Sequence, residues 1–330
     1  MSNLVFPNAA AIARLRDTVR ERLSVSLLHL VFDVFAPDTP SPVTRVELTD
    51  LVLNEEGFPS AVVFALHGAM VRAALKDDMS VVPRLLGILG RLLDRDTREP
   101  ETIALAALSD AALHADDTYL LQATFADDVG VTTTLVGPSA ESVSRSEALM
   151  AEALAVLERT APDWSAELPL LSRQVLLAKP ASPTDRAFGG AAVFDAFGAV
   201  LMNPDGWHDP STVLMALIHE ASHQHMFLFH LDDPVLKNDA AAVFTSPLRA
   251  EPRPMEGVFH ALWVSARMTV AADAVLKSPH RPTWASALRS HQVAALQSFR
   301  DCEKTVAEHA DLTALGAKLF QDARDAVDAV

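Results

Sequence analysis

Apolar residues recur at intervals of three and four positions along most of the chain, which is the period of an amphipathic helix. Loops rich in proline and acidic residues interrupt this pattern at residues 38–42 and 95–101. Ser139 precedes the last helical stretch of the first half and is suited to cap it. In this half of the chain the pattern predicts helices at residues 8–30, 60–75, 81–95 and 139–160.

Short runs of β-branched and aliphatic residues predict a small sheet near the middle of the chain. The last of these runs lies between the Gly189-Gly190 pair and the turn sequence Asn203-Pro204-Asp205-Gly206. The predicted strands are residues 103–108, 131–136, 175–177 and 193–202. Because helices dominate the pattern, the predicted fold class is mainly α with a small β-sheet, an α+β fold.

The clearest helix in the sequence covers residues 211–229. Asp209 is placed as its N-cap, and Pro210 takes the first helical position, where a missing N–H leaves no hydrogen bond unmade. We expect this helix to pack inside a helical core. After a proline-rich loop, three further amphipathic helices are predicted at residues 255–276, 283–309 and 312–330.

The chain has 330 residues, of which 50% are hydrophobic, so it can bury a large core as one compact unit. Within that unit we expect a helical amino-terminal part at residues 1–165 and a metal-binding catalytic part at residues 166–330. The amino-terminal part is the expected surface for recognising a peptide.

The formal net charge is −16 at pH 7, which argues against nucleic acid or an anionic membrane surface as the main partner. Cys302 is the only cysteine, which excludes an intrachain disulfide and a thiolate cluster for zinc or iron–sulfur. No apolar run reaches the roughly 20 residues of a membrane-spanning helix. The first residues also lack the features of a signal peptide. We therefore expect a cytoplasmic protein.

Candidate chemistry is concentrated in His219-Glu220-Ala221-Ser222-His223, within the predicted helix 211–229. Two imidazoles four residues apart project from one helix face at adjacent turns, so both can bind one metal ion. The preceding residues 213–218 are almost wholly apolar, which draws His219 and Glu220 toward the interior, where unpaired polar groups are unfavourable. The alternative is that both histidines are ordinary core residues held by hydrogen bonds. We favour a metal, because polar groups that enter a core together usually share a partner.

His260 is the best candidate for a third metal ligand, since two imidazoles seldom hold a catalytic metal tightly. Pro254 can open a helix ahead of it, and Gly257 allows another backbone to approach. His225 and His230 lie at other angular positions around the helix, which favours exposed or supporting roles for both.

Arg249 and Arg253 lie in a proline-stiffened loop just before His260. Two guanidinium groups held in this way suit the binding of a carboxylate. The alternative is that they are solvated or paired with Glu251 and Glu256 at the surface.

Residues 198–267 resemble the HExxH-motif peptide-modification proteins, the 2-oxoglutarate-dependent HExxH-type peptide β-hydroxylases of ribosomal peptide natural product pathways. Outside this region the similarity is limited to general helical character. The resemblance is carried by His219 to His223, Ser246-Pro247-Leu248-Arg249, Arg253-Pro254 and Gly257-Val258-Phe259-His260.

The resemblance implies a non-haem iron oxygenase in which His219, His223 and His260 hold Fe(II). Arg253 or Arg249 would clasp the distal carboxylate of 2-oxoglutarate, O2 would be the oxidant, and a side chain of a precursor peptide would be hydroxylated. Glu220 would orient a ligand imidazole or, as second choice, bind the metal itself. If His260 is not the third ligand, Glu220 or another acid must replace it.

Two other functions fit the same residues. The first is a zinc-dependent metallopeptidase in which Glu220 acts as general base toward a metal-bound water. The second is a non-catalytic, helical peptide-binding scaffold that keeps a structural metal site. Imidazoles bind iron and zinc alike, so the motif does not select the metal.

Overall fold

The computed structural model describes residues 3–36, 38–54, 57–128, 134–182, 187–246 and 249–330. These residues form α1 (Ala9–His29), α2 (Arg45–Leu53), α3 (Ala61–Leu75), α4 (Val82–Leu93), α5 (Ala115–Asp128), α6 (Ala140–Thr160), α7 (Pro162–Leu171), α8 (Pro210–Phe229), α9 (Met255–Lys277), α10 (Ala285–His309) and α11 (Ala314–Asp328). Their strands are β1 (Ala104–Ala107), β2 (Leu135–Val136), β3 (Ser172–Leu177), β4 (Lys179–Pro180), β5 (Gly190–Ala191), β6 (Gly198–Met202), β7 (Val243–Ser246) and β8 (Arg249–Pro254). The predicted fold class, mainly α with a small β-sheet, is confirmed.

Several elements differ from the prediction. Helices α2, α5 and α7 were not predicted, and the proline-rich loop contains the hairpin of β7 and β8. The predicted strand 193–202 is interrupted by a 3-10 turn at Phe194–Ala196, so only its second half is β6. Of the predicted strand 131–136, residues 131–133 lie outside the described residues and the end is β2.

Two compact units alternate along the chain. We call the first the helical unit; it comprises Met1–Ile12, Ser144–Leu171 and Asp205–Val330. We call the second the mixed unit; it comprises Ala13–Val143 and Ser172–Pro204. The functional division into residues 1–165 and 166–330 and the expectation of one compact unit both stay predictions.

The mixed unit contains a four-stranded sheet of order β1-β3-β6-β5. β3 pairs in parallel with β1 and β6, and β5 pairs antiparallel to β6. All five residues of β6 are buried, which agrees with its unbroken apolar sequence. Gly198 has a φ of +89°, and a Cβ there would lie 2.3 Å from Oε1 of Glu99, so this position favours glycine.

The helical unit is built around α9, which packs against α8, α10 and α11. α9 is buried on most of its surface, and its Phe259 and Trp263 side chains are fully buried. α8 begins as predicted, because the Asp209 carboxylate accepts hydrogen bonds from the backbone N–H groups of Ser211 and Thr212 at 2.7 and 3.1 Å. No described helix is both long and apolar enough to cross a membrane.

Candidate metal centre

The histidines of the motif lie on one face of α8, and α9 packs against α8. The ring centroids of His219 and His223 are 5.1 Å apart, as expected for residues one turn apart on a helix. Phe227 and His230 continue the same stripe, and both lie close to the His260 ring of α9, with centroids 5.7 and 5.6 Å from it.

Glu220 lies close to the two motif histidines. Its side chain is 7% exposed, whereas that of His219 is 37% exposed, so the carboxylate is the more deeply placed group. Oε1 of Glu220 is 3.9 Å from Nε2 of His219. His219, Glu220 and His223 each offer one ligand atom, and these atoms lie within 4.8 Å of one another. The structure thus brings together the three motif residues in a two-histidine, one-carboxylate donor set.

His260, the predicted third ligand, contacts the motif through His223. The two Nδ1 atoms are 3.2 Å apart, so one ring donates a proton that the other accepts. Among the described residues, however, the ligand atom of His260 forms a group with those of His230 and Glu256. These three atoms lie within 4.8 Å of one another. The structure therefore places His260 beside the motif but groups it with two residues that we did not predict as ligands.

The sequence contained a spacing that identifies these two residues. His230 follows His223 by seven positions, which is close to two helical turns, so the two side chains lie on nearly the same face. The expectation that His230 lies at another angular position is therefore wrong. Glu256 precedes His260 by four positions, about one turn of α9. His225 lies elsewhere: it is buried, and its ring lies 4.8 Å from that of Phe229 and 5.7 Å from that of Trp263.

Burial disfavours the charged form of three of the candidate histidines, His219, His230 and His260. Burial lowers the pKa of His219, and it lowers the pKa of His230 although the nearby Glu256 and Asp233 carboxylates act in the opposite direction. Burial, assisted by the interaction with the neighbouring His230 and by the charge of Arg253, lowers the pKa of His260 to about 3. Neutral imidazoles have a free lone pair, so a metal ion need not displace a proton to bind them at neutral pH.

Arg253 lies close enough to His260 for its charge to contribute to the lowered pKa of that histidine. Its half-buried side chain passes over Gly257, where an added Cβ would lie 3.1 Å from Cδ of Arg253. Gly257 therefore makes room for this side chain, and the three atoms nearest to an added Cβ belong to Arg253 rather than to another backbone. The backbone of Arg249 begins β8 opposite Ser246, while the side chain of Arg249 lies outside the described residues.

A buried arginine anchors the middle of the motif. Nε of Arg267 donates a hydrogen bond to Oγ of Ser222 at 3.2 Å, and that hydroxyl donates to the carbonyl of Ile218 at 2.6 Å. Arg267 also forms a short ion pair with Glu167 and donates to the carbonyl of Val5 at 2.9 Å. Ser222 lies between the two motif histidines in sequence, so this network holds the segment of α8 that presents them.

Acidification is expected to destabilise the metal-free protein before its carboxylates titrate. In the unfolded chain histidines bind protons near their ordinary pKa of about 6.5, whereas burial lowers the pKa of His225 and His260 in the fold. Below about pH 6.5 the unfolded state binds more protons, so the free energy of unfolding falls with falling pH. The loss is at most about 1.4 kcal/mol per pH unit for each histidine that stays neutral.

Urea unfolding of the metal-free protein between about pH 7 and about pH 5 measures this dependence. His225→Phe is a matched control, because phenylalanine has no proton to bind and can pack against the same two rings. In this variant the slope of the free energy of unfolding against pH should decrease by the contribution of about one bound proton. A wild-type stability that does not change with pH over this interval would contradict the prediction.

Comparison with models of known protein families gives no match for this sequence, and comparison with curated proteins gives no significant match either. The function is therefore argued from the residues and the geometry of the site.

Proposed function

We propose that the protein is an Fe(II)- and 2-oxoglutarate-dependent oxygenase that hydroxylates a side chain of a ribosomally synthesised precursor peptide at its β-carbon. The observation that carries the proposal is the convergence of His219, Glu220 and His223 within 4.8 Å on α8, next to His260. Two imidazoles and one carboxylate are the donor set that non-haem Fe(II) oxygenases favour.

The residues of the site fit a bound metal ion. His219, Glu220 and His223 offer three ligand atoms within 4.8 Å of one another, and the Glu220 side chain is only 7% exposed, where a bound cation stabilises the charge of its carboxylate. The lowered pKa values of His219 and His260 leave both rings neutral at neutral pH, so each has one nitrogen with a free lone pair. When bound, the iron supplies the O2 chemistry that protein side chains lack.

The protein's own residues position the reactants. His219 and His223 hold the metal, with Glu220 or His260 as the third ligand. Arg253 presents a planar guanidinium beside His260, and such a group can bind the distal carboxylate of 2-oxoglutarate with two parallel hydrogen bonds. The hydrogen bonds of Arg267 hold the segment of α8 that carries the two motif histidines. If Glu220 is not a ligand, its buried carboxylate orients a ligand imidazole.

The proposal places the reaction in the cytoplasm and its peptide-recognition surface in residues 1–165. A reducing compartment suits both Fe(II) and a chain whose single cysteine, Cys302, is a buried thiol. Burial is also the main reason that the pKa of this thiol is raised to about 11, which makes it a poor nucleophile.

Anaerobic titration of the Fe(II)-loaded protein with 2-oxoglutarate tests the proposal. We expect a visible charge-transfer band to grow with the chelated cosubstrate. Arg253→Ala should weaken 2-oxoglutarate binding by more than about a hundredfold, since it removes two hydrogen bonds to a charged group, each of which contributes about 1.5–3 kcal/mol. Arg253→Lys should recover part of the loss, because it keeps the charge but not the planar fork.

Arg281→Ala is the matched control, since Arg281 is an exposed arginine in the segment that follows α9. It should bind 2-oxoglutarate like the wild type. Iron binding without the band in the wild-type protein would exclude the oxygenase.

A zinc-dependent metallopeptidase is the second candidate, and the position of Glu220 favours it. A carboxylate grouped with two metal-ligating histidines is where a general base for a metal-bound water must lie. This function predicts peptide hydrolysis without O2 and its loss in Glu220→Gln, whereas the proposed hydroxylation requires O2.

A further inference from the structure

A second cluster of metal-ligand side chains lies on the same pair of helices as the motif. His230 ends α8, Glu256 lies in the first turn of α9, and His260 follows one turn later. Each offers one ligand atom, and these atoms lie within 4.8 Å of one another. Two imidazoles and a carboxylate suit a divalent transition metal.

Two buried nitrogens in this cluster point to a missing partner. Nε2 of His230 and Nε2 of His260 are both buried, and neither has a hydrogen-bond partner among the residues that the structure describes. A buried polar atom left in this state is unfavourable. The rings lie with their centroids 5.6 Å apart, so one cation between them can satisfy both atoms.

A cavity gives this cluster access to solvent. It has a volume of about 200 Å³, and its wall includes His230, Glu256, Asn238 and Asp239. A cation in the cavity can therefore reach His230 and Glu256 from outside, and the His260 ring lies next to that of His230. Water in the cavity can complete its coordination shell. The carboxylates of Glu256 and Asp239 make the entrance attractive to a cation.

The two nitrogens of His260 have different surroundings. Nδ1 contacts Nδ1 of His223, whereas Nε2 has no partner among the described residues. One imidazole binds two metal ions at once only when both of its nitrogens are deprotonated. A neutral His260 that donates its Nδ1 proton to His223 has its lone pair on Nε2, the atom that can serve the second cluster. The same hydrogen bond places the proton of a neutral His223 on Nε2, so a metal ion that His223 binds through Nε2 releases that proton.

We propose that His230, Glu256 and His260 bind a second divalent metal ion of the zinc class, with Nε2 of His260 as one ligand. Glu220 then completes the donor set of the motif with His219 and His223. The second site needs none of these three motif residues, so it stands independently of the proposed hydroxylase function.

Titration of the metal-free, full-length protein with Zn(II), in competition with a chromophoric chelator, tests the second site. We expect two equivalents per chain in the wild type. Glu256→Gln and His230→Ala should each weaken the second equivalent by roughly a hundredfold or more, because each removes a direct ligand. His223→Ala should remove the motif equivalent and keep the second.

Glu158→Gln, at an exposed position of α6, is the control for Glu256→Gln and should bind two equivalents. Glu256 is itself exposed and the glutamine is isosteric, so the variant should unfold at the wild-type temperature when metal-free. Co(II) absorption spectra of the same variants should show the loss of one site and an unchanged spectrum for the other.

A wild-type protein that binds a single equivalent, with an affinity that Glu256→Gln and His230→Ala do not change, would overturn the second site, as would unchanged binding of two equivalents in these variants. Failure of the hydroxylase proposal looks different. In that case two equivalents of Zn(II) bind, but the Fe(II)-loaded protein shows no response to 2-oxoglutarate.

Discussion

Replacing His223 by alanine is expected to abolish tight metal binding at the motif and all catalysis that depends on it. The His223 ring lies 5.1 Å from that of His219, and its Nδ1 is 3.2 Å from Nδ1 of His260, so it links the motif to α9. Its loss leaves one imidazole and one carboxylate on α8, which is too few for tight binding. We expect the Fe(II) affinity to fall by more than about a hundredfold.

Metal content after dialysis measures this loss, and mass spectrometry of the candidate peptide measures the product. His280→Ala, in the exposed segment after α9, is the control and should retain both metal and product. A His223→Ala protein that keeps one tightly bound Fe(II) and its activity would show that the motif is not the iron site.

Truncating Arg267 to alanine is expected to destabilise the protein by about 3–5 kcal/mol, because it leaves a buried charge without its partner. The side chains of Arg267 and Glu167 are 2% and 1% exposed. Glu167 also accepts a hydrogen bond from the backbone N–H of Asn8 at 2.6 Å, and the Arg267 guanidinium lies 4.7 Å from the centre of the Trp164 ring. One substitution therefore disturbs the amino-terminal segment, α7 and the motif together.

Urea unfolding at neutral pH measures the change in the free energy of unfolding. The double variant Arg267→Met/Glu167→Leu should recover much of the loss, since it removes both charges and keeps much of the packed volume. If the free energy of unfolding of Arg267→Ala lies within about 1 kcal/mol of the wild-type value, the prediction that Glu167 is left as a buried, unpaired carboxylate is wrong. Arg281→Ala again provides the exposed control.

The start of α8 could be predicted from the sequence because its cause is local. Asp209 and Pro210 act on backbone groups within three residues, and the apolar period then carries the helix to Phe229. The spacing of His219 and His223 follows from helix geometry alone, so their proximity also needed no tertiary information.

The hairpin of β7 and β8 could not be predicted in this way. Pro252 and Pro254 lie in β8, but in the sequence they indicate a loop, because proline has no N–H group to donate to a neighbouring strand. In a two-stranded sheet each strand has one open edge, where an N–H group is not needed. Which edge is open depends on the partner strand, and here Val243 pairs with Pro254.

The sequence by itself determined the helical class, the metal-ligand motif and the nearby arginine, because these depend on residue type and short-range periodicity. Only the tertiary structure decided that His260 groups with His230 and Glu256, and that Arg253 fills the space above Gly257. Helix periodicity predicts which face of a helix carries a side chain. It does not predict which residues of another helix lie opposite that face. That placement depends on how α8 and α9 pack, which is set by buried contacts between residues far apart in the chain.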